Sequence, residues 1–407
     1  NLIVGIILFF YGVKIYTSYN LRPVSNPCGT GENYYLNKHL HFLLFSIATS
    51  MVFLGPFSLV KYVFWFAILV ILIFFFRLKF DIIVGSYILF LLWALFSMSY
   101  TSELYQGTML LIKYALPMLY LWLGYNAING KEDFIIFLKK SNIILILYAL
   151  FIGGFAYKVF PFLYSLLLFK SGGLFIAYAS LADFFTALFV IPLTLYVITK
   201  RSKYLYAALW LLLSTVLEVV RTGLGGIALS IMFFGFIFYK WRAVPFVVFP
   251  VILFVIAILF IPDVREKMFV DDSNTAIAQT SLTFDNIQSN GRELIWEKNI
   301  EKFYKPNPLI GAGLGTSVSY TKDNFAVHLI HSDYVQILCD MGSIGLSFFC
   351  LFFIVLVCKV VYCCWFGYNK DDFVRLSGAM AVGSCAGVLF SMAFDNVVSY
   401  SQQCFVF

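Results

Sequence analysis

Charge is what this sequence has least of. Asp, Glu, Lys and Arg make up 12% of its residues, while 61% are hydrophobic. A soluble globular chain carries roughly 25% charge, so a chain this apolar could not cover its own surface with polar groups. The soluble classes are excluded, and a polytopic membrane protein remains. Histidine is almost as scarce, with 4 in 407 residues. A zinc site wants at least three ligands from His, Cys or carboxylate, and His328, His331 and Asp333 alone do not supply a third His or Cys. The 8 cysteines, mostly inside apolar runs, form no C-x-x-C pair, so neither a zinc nor a disulfide framework is indicated. No secretory signal with a small-residue cleavage site is present. Asn1 is not an initiator Met and Phe407 closes an apolar run, which is compatible with trimming at both ends.

The chain holds apolar runs. Spans are expected over residues 1–17, 42–57, 62–76, 82–98, 108–126, 141–158, 182–199, 204–219, 222–239, 244–262, 343–363 and 376–394, about twelve in all. The predicted fold is all-α and polytopic. The formal charge of +7 is spread in short clusters between these runs, which suits lipid headgroups and not nucleic acid. Basic residues concentrate in one set of loops: Arg77 and Lys79; Lys131, Lys139 and Lys140; Lys200, Arg201 and Lys203; Lys240 and Arg242; Lys370 and Arg375. The intervening loops hold Lys61, Lys170 and Arg221. The basic set is expected on the cytoplasmic side. Strict alternation then conflicts with the count of spans before residue 80. Residues 160–182 read as an amphipathic segment in the interface or as part of a groove wall for a lipid tail.

One stretch, residues 262–342, has the polar content of a soluble protein. It divides the chain into N-terminal spans (1–261), one large outer loop (262–342) and C-terminal spans (343–407). Arg221 stands at a span boundary before Thr222-Gly223-Leu224-Gly225-Gly226. A charge there is paired, exposed or functional; it reads as an interfacial snorkelling arginine or as an anion anchor, with Glu218 one turn earlier as a partner. Arg292 opens a segment with Ile295, Trp296, Ile300 and Phe303 at helical spacing. Such a helix would lie on the membrane or on protein and offer its first turn to anions. Trp296 reads as packing, as an interface anchor or as a substrate contact. Gly311, Gly313 and Gly315 form neither a P-loop nor a dinucleotide fingerprint; they read as a tight turn bringing backbone amides near a site. His331 opens a helix with Val335, Leu338, Met341 and Ile344 on one face and Ser332 or Asp333 as cap. A neutral imidazole there is a candidate general base for a sugar hydroxyl.

Arg221-Thr222-Gly223, Gly291-Arg292 with Trp296, the turn from Pro308 to Gly313, and His331-Ser332-Asp333-Tyr334-Val335 with Gly342 occur in an order that resembles the O-antigen polymerase (Wzy type) and O-antigen ligase superfamily of bacterial surface glycan assembly. Val335 stands where that family's pattern has Leu. The resemblance implies a GT-C-type membrane glycosyltransferase with a large periplasmic loop and no metal or other cofactor, in the bacterial inner membrane. Its donor would be an oligosaccharide on undecaprenyl pyrophosphate, and its partners would include membrane lipids, with room for a chain-length regulator protein. His331, Arg292 and Arg221 would be catalytic; Arg221, Arg292, Trp296, His328 and Gly313 would bind substrate. The pattern fits polymerase and ligase alike. The abundance of Phe (47) and Tyr (26) leans toward polymerase by association. A rival from another class is a flippase for the same lipid-linked glycan. Flippases would carry charges within spans, and these spans are nearly charge-free.

Overall fold

The computed structural model describes residues 40, 43–44, 80–128, 130–151, 178–218, 220–260, 291–325, 327, 329–366 and 371–397. Among these every regular element is helical. In chain order they are α1 (Ile82–Ser97), α2 (Leu104–Ala127), α3 (Lys131–Phe151), α4 (Tyr178–Leu188), α5 (Val190–Thr199), α6 (Ser202–Glu218), α7 (Arg221–Tyr239), α8 (Val244–Phe260), α9 (Arg292–Asn299), α10 (Thr316–Asn324), α11 (Asp333–Val361) and α12 (Asp372–Phe394). Five stretches are long and apolar enough to cross a membrane: Leu104–Ala127, Ala182–Thr199, Arg221–Tyr239, Asp333–Phe366 and Asp372–Phe394. The described residues are thus all-helical, and these apolar helices point to a membrane protein. The expected spans over 1–17 and 62–76, that over 42–57 apart from residues 43 and 44, and the segment 160–177 lie outside the described residues.

The expected span over 182–199 is one apolar stretch, Ala182–Thr199. Phe189 between α4 and α5 keeps helical angles (φ −56°, ψ −34°); the local irregularity fits Pro192, which lacks an N–H for the carbonyl of Leu188. Gly342 (φ 67°, ψ −171°) is not helical and divides α11 into two helices; the second starts at Ser343, where the span from 343 is expected.

The chain clusters into two compact units, one of residues 1–84, 116–218 and 402–407, the other of 85–115 and 219–401. In the first, α3, α5 and α6 pack on one another and α4 joins α6. Tyr148 meets Phe184 edge-on at 5.6 Å in its core. Asp81 starts α1 by accepting the N–H groups of Ile83 and Val84 at 3.1 and 3.0 Å, and it accepts the Tyr125 hydroxyl at 3.1 Å.

The second unit is built on α7 lying along α12, with α8 against α7 and α11 against α12. Gly225 makes the close approach of α7 to α12 feasible: a Cβ there would sit 2.4 Å from the Phe390 ring. An aromatic core runs through Phe90, Tyr114, Phe349 and Phe352, with ring centroids 5.3 Å apart for Phe90–Tyr114 and 5.2 Å for Phe90–Phe349.

The bend at Gly342 frees backbone groups on both sides, and each finds a partner. Ala312 and Gly313 donate their N–H groups to the carbonyls of Cys339 (3.0 Å) and Asp340 (2.9 Å). The Trp93 indole donates to the Met341 carbonyl at 3.0 Å. Beyond the bend, Ser343 and Ile344 donate to the carbonyls of Pro308 (2.9 Å) and Leu309 (3.2 Å). The glycine turn and the bent helix are therefore one interlocked structure.

Candidate functional site

Arg221, Arg292, Trp296 and His331 all lie in the second unit. Gly291 lies in the left-handed region (φ 76°), and α9 starts after it at Arg292. Ile295 and Phe303 are buried, as their spacing predicted, and Asn299 joins them with its amide donating to the Thr321 hydroxyl at 3.0 Å. This bond fixes α9 on α10. The Arg292 guanidinium donates through Nη1 to the carbonyl of Phe394, at the end of α12. One turn on, the Trp296 indole donates to the carbonyl of Ile330 at 2.8 Å. α9 is thus tied both to the last residue of α12 and to the residue before His331.

His331 is one of three described non-glycine residues with positive φ (58°). Histidine tolerates that region better than most residues, but such a conformation persists only where neighbours impose it. Here Asn396 imposes it: its side-chain oxygen accepts the His331 N–H at 2.6 Å. The ring is held as well, with Nδ1 3.2 Å from the Asp395 carboxylate. Against a carboxylate Nδ1 carries the proton, so Nε2 is the basic nitrogen. The ring is 25% exposed and Asp395 14%.

A buried polar network locks this corner. The Asn396 amide donates to Gln336 at 2.9 Å and to Asp333 at 3.4 Å, and Gln336 donates to the Tyr114 hydroxyl at 3.3 Å. Asp333 and Gln336 are fully buried. Ser332 caps α11, its hydroxyl accepting the Val335 N–H at 3.3 Å. The Tyr334 hydroxyl reaches the Leu389 carbonyl at 2.9 Å, a second tie between α11 and α12.

Arg221 is the first residue of α7, after Val220 in extended conformation. It is half-buried, and its charge and that of Arg292 act repulsively on each other. The structure thus brings Arg292, Trp296 and His331 to the end of α12, and Arg221 within electrostatic reach of Arg292. Guanidinium groups suit phosphate oxygens in particular.

Gly313 is buried (φ 96°), its N–H taken by the Asp340 carbonyl, and a Cβ there would lie 2.5 Å from Thr101 Cα. His328 lies outside the described residues. Asp340 is fully buried and accepts the N–H groups of Gly315 (2.8 Å) and Ser317 (2.9 Å), so it anchors the start of α10. Tyr100 donates to the Ile310 carbonyl at 2.6 Å. Burial and the nearby Asp340 charge push its phenol up to about 12, so it stays a donor.

Asp395, Asn396 and Asp340 were missed by sequence reasoning. The first two follow an apolar span as an ordinary polar exit would; the signal was an adjacent acid and amide where the span ends. Asp340 had a signal too, a carboxylate within an apolar helical face two residues before a glycine.

No curated protein matches the chain. Residues 206–350 match the family model described as O-antigen ligase (Wzy_C). The match takes in Arg221, Arg292, Trp296, Gly313 and His331 and stops short of Asp395 and Asn396. Over residues 206–350 the chain is therefore similar to the O-antigen ligase (Wzy_C) domain, consistent with the O-antigen polymerase and ligase superfamily.

Proposed function

We propose that this chain is an O-antigen polymerase. It would join oligosaccharide repeat units carried on undecaprenyl pyrophosphate into polysaccharide, at the periplasmic face of the bacterial inner membrane. The observation that carries this reading is one cluster of groups near the end of α12: Arg292 bonded to Phe394, a histidine whose ring is set by Asp395, and Arg221 within electrostatic reach of Arg292. Under this reading the fold is GT-C-type with about twelve spans, and the basic loops that include Lys200 and Lys240 face the cytoplasm.

The chemistry follows from the groups. Nε2 of His331 takes the proton of the acceptor hydroxyl, and that oxygen attacks the anomeric carbon from the face opposite the pyrophosphate. The bond from the anomeric carbon to the phosphate oxygen breaks, and its electrons leave with undecaprenyl pyrophosphate. The configuration inverts. Asp395 holds Nδ1–H and stabilises the imidazolium that forms. Arg221 and Arg292 offset the charge growing on the leaving diphosphate. Arg292 has five donors, so its bond to Phe394 leaves others for phosphate. Trp296 and His328 would contact the sugars. Gly313, whose N–H is given to the Asp340 carbonyl, would serve by bracing its turn against α11. No metal is needed for these steps.

A second reading is O-antigen ligase, favoured by the description of the matching family model. There the same donor is used and the acceptor is lipid A-core. The test is to reconstitute the purified protein with lipid-linked repeat units alone. A ladder of lengthened glycans is expected; product that forms only after lipid A-core is added would replace polymerase with ligase. No product, with lipid crossing between leaflets, would point to a flippase.

A further inference from the structure

The far end of the α7–α12 pair carries a second cluster of cations. α7 ends where Lys240 adopts φ 55° and the chain enters a short 3₁₀ turn, Lys240–Ala243. α12 begins beside it, its first turn capped by Asp371 accepting the Phe373 N–H at 2.9 Å. Between them lies a cavity of about 460 Å³ lined by Phe238, Tyr239, Lys240, Arg242, Asp372 and Arg375. α7 is 19 residues long, which at 1.5 Å per residue separates this cavity from Arg221 by roughly 28 Å, about one hydrocarbon thickness. It belongs to the opposite membrane interface and is not part of the site described above.

Its charge is unbalanced. Three cations face one carboxylate, and Asp372 is engaged by Arg375 one turn along. Among the described residues neither Lys240 nor Arg242 has an acidic partner. Aromatic rings steer two of the cations: Lys240 Nζ stands 5.9 Å from the Trp365 ring and the Arg375 guanidinium 5.6 Å from Phe238. The Trp365 indole is in turn held by the Ile237 carbonyl at 3.3 Å. Phe236 packs on Trp365 at 5.1 Å, and both Phe236 and Phe366 are exposed. A cationic pocket therefore adjoins an outward-facing apolar wall.

We infer that this pocket binds the phosphate of an anionic phospholipid, with Lys240 and Arg242 on the phosphate and the acyl chains along Phe236 and Phe366. Its volume lies in the range of ordinary small-ligand pockets, large enough for a glycerophosphate headgroup. The adjoining apolar wall selects a lipid over a soluble anion, because a free phosphate gains nothing from exposed phenylalanines. Basic residues beside spans are also where anionic headgroups gather.

The test uses the full chain in detergent micelles, titrated with phosphatidylglycerol, with phosphatidylcholine of the same acyl chains, and with inorganic phosphate. Retained lipid is read by native mass spectrometry. Phosphatidylglycerol is expected to bind more tightly than phosphatidylcholine, and Lys240→Gln and Arg242→Gln should each weaken it roughly fivefold. Asp372→Asn should strengthen it, since Arg375 is then released from its carboxylate; a purely structural role for these residues would not reverse the sign. Equal binding of the two lipids, or unchanged phosphatidylglycerol affinity in both glutamine variants, would overturn the site. Inorganic phosphate binding as tightly as phosphatidylglycerol would overturn the lipid assignment.

Discussion

Nδ1 of His331 lies 3.2 Å from Oδ1 of Asp395, and the same His331 gives its backbone N–H to Asn396 at 2.6 Å. Two adjacent residues at the end of α12 thus hold both the ring and the backbone of the proposed base. In Asp395→Asn the side chain keeps its shape but no longer favours the tautomer with a basic Nε2. Turnover should fall by about 10²–10⁴-fold with little change in KM. Steady-state rates on lipid-linked repeat units check this, and a raised KM at unchanged kcat would assign Asp395 to binding instead.

A diphosphate should bind through the guanidinium groups of Arg221 and Arg292. Inorganic pyrophosphate is therefore expected to raise the melting temperature of the wild-type protein, and a ligand at a hundred times its Kd contributes about 2.7 kcal/mol. Arg221→Ala and Arg292→Ala should both lose most of this shift. Lysine in either position keeps the charge and loses the fork, so an intermediate shift is expected. Equal shifts in wild type and both alanine variants would place the anion elsewhere.

Much of the site was legible before any coordinates. Arg292 at the start of a helix, Ile295 and Phe303 on its inner face and Ser332 as a cap all follow from local spacing, because helix periodicity and capping act over a few residues. Asp395 was not legible, because its bond to His331 spans 64 residues of chain and depends on where α12 ends. The bend at Gly342 was hidden for a related reason. The apolar pattern from Val335 to Ile344 continues smoothly through it, and only the pairing with Pro308, Leu309, Ala312 and Gly313 makes the left-handed turn favourable.

Gly313→Ala places a Cβ 2.5 Å from Thr101 Cα at a φ of 96°. Strain and clash together should cost about 2 kcal/mol or more. Asp340→Asn leaves one oxygen for two N–H groups and turns its NH₂ on the other, a further loss of about 1–3 kcal/mol. Thermal unfolding in detergent checks both. Unchanged melting temperatures would mean that the turn and the bent helix do not brace each other.

Gly225→Ala should separate α7 from α12 unless Phe390 yields, since the new methyl meets its ring. Activity should fall in the single variant and recover in part when Phe390→Leu is added. A double variant no better than the single one would show that the two helices are not coupled through this contact.

Chelation with EDTA should leave glycan assembly unchanged. Loss of activity that zinc restores would demand a metal step absent from this account.

The account stands on two arginines and one histidine serving a single diphosphate-linked donor. The direct measurement is the affinity of the purified protein for undecaprenyl pyrophosphate, taken alongside turnover, in wild type, Arg221→Ala, Arg292→Ala and His331→Ala. The arginine variants are expected to lose at least tenfold in affinity, on the order of 1.4 kcal/mol or more each, while His331→Ala binds the lipid as wild type does and assembles no glycan. Wild-type affinity in both arginine variants, together with an active His331→Ala, would contradict it.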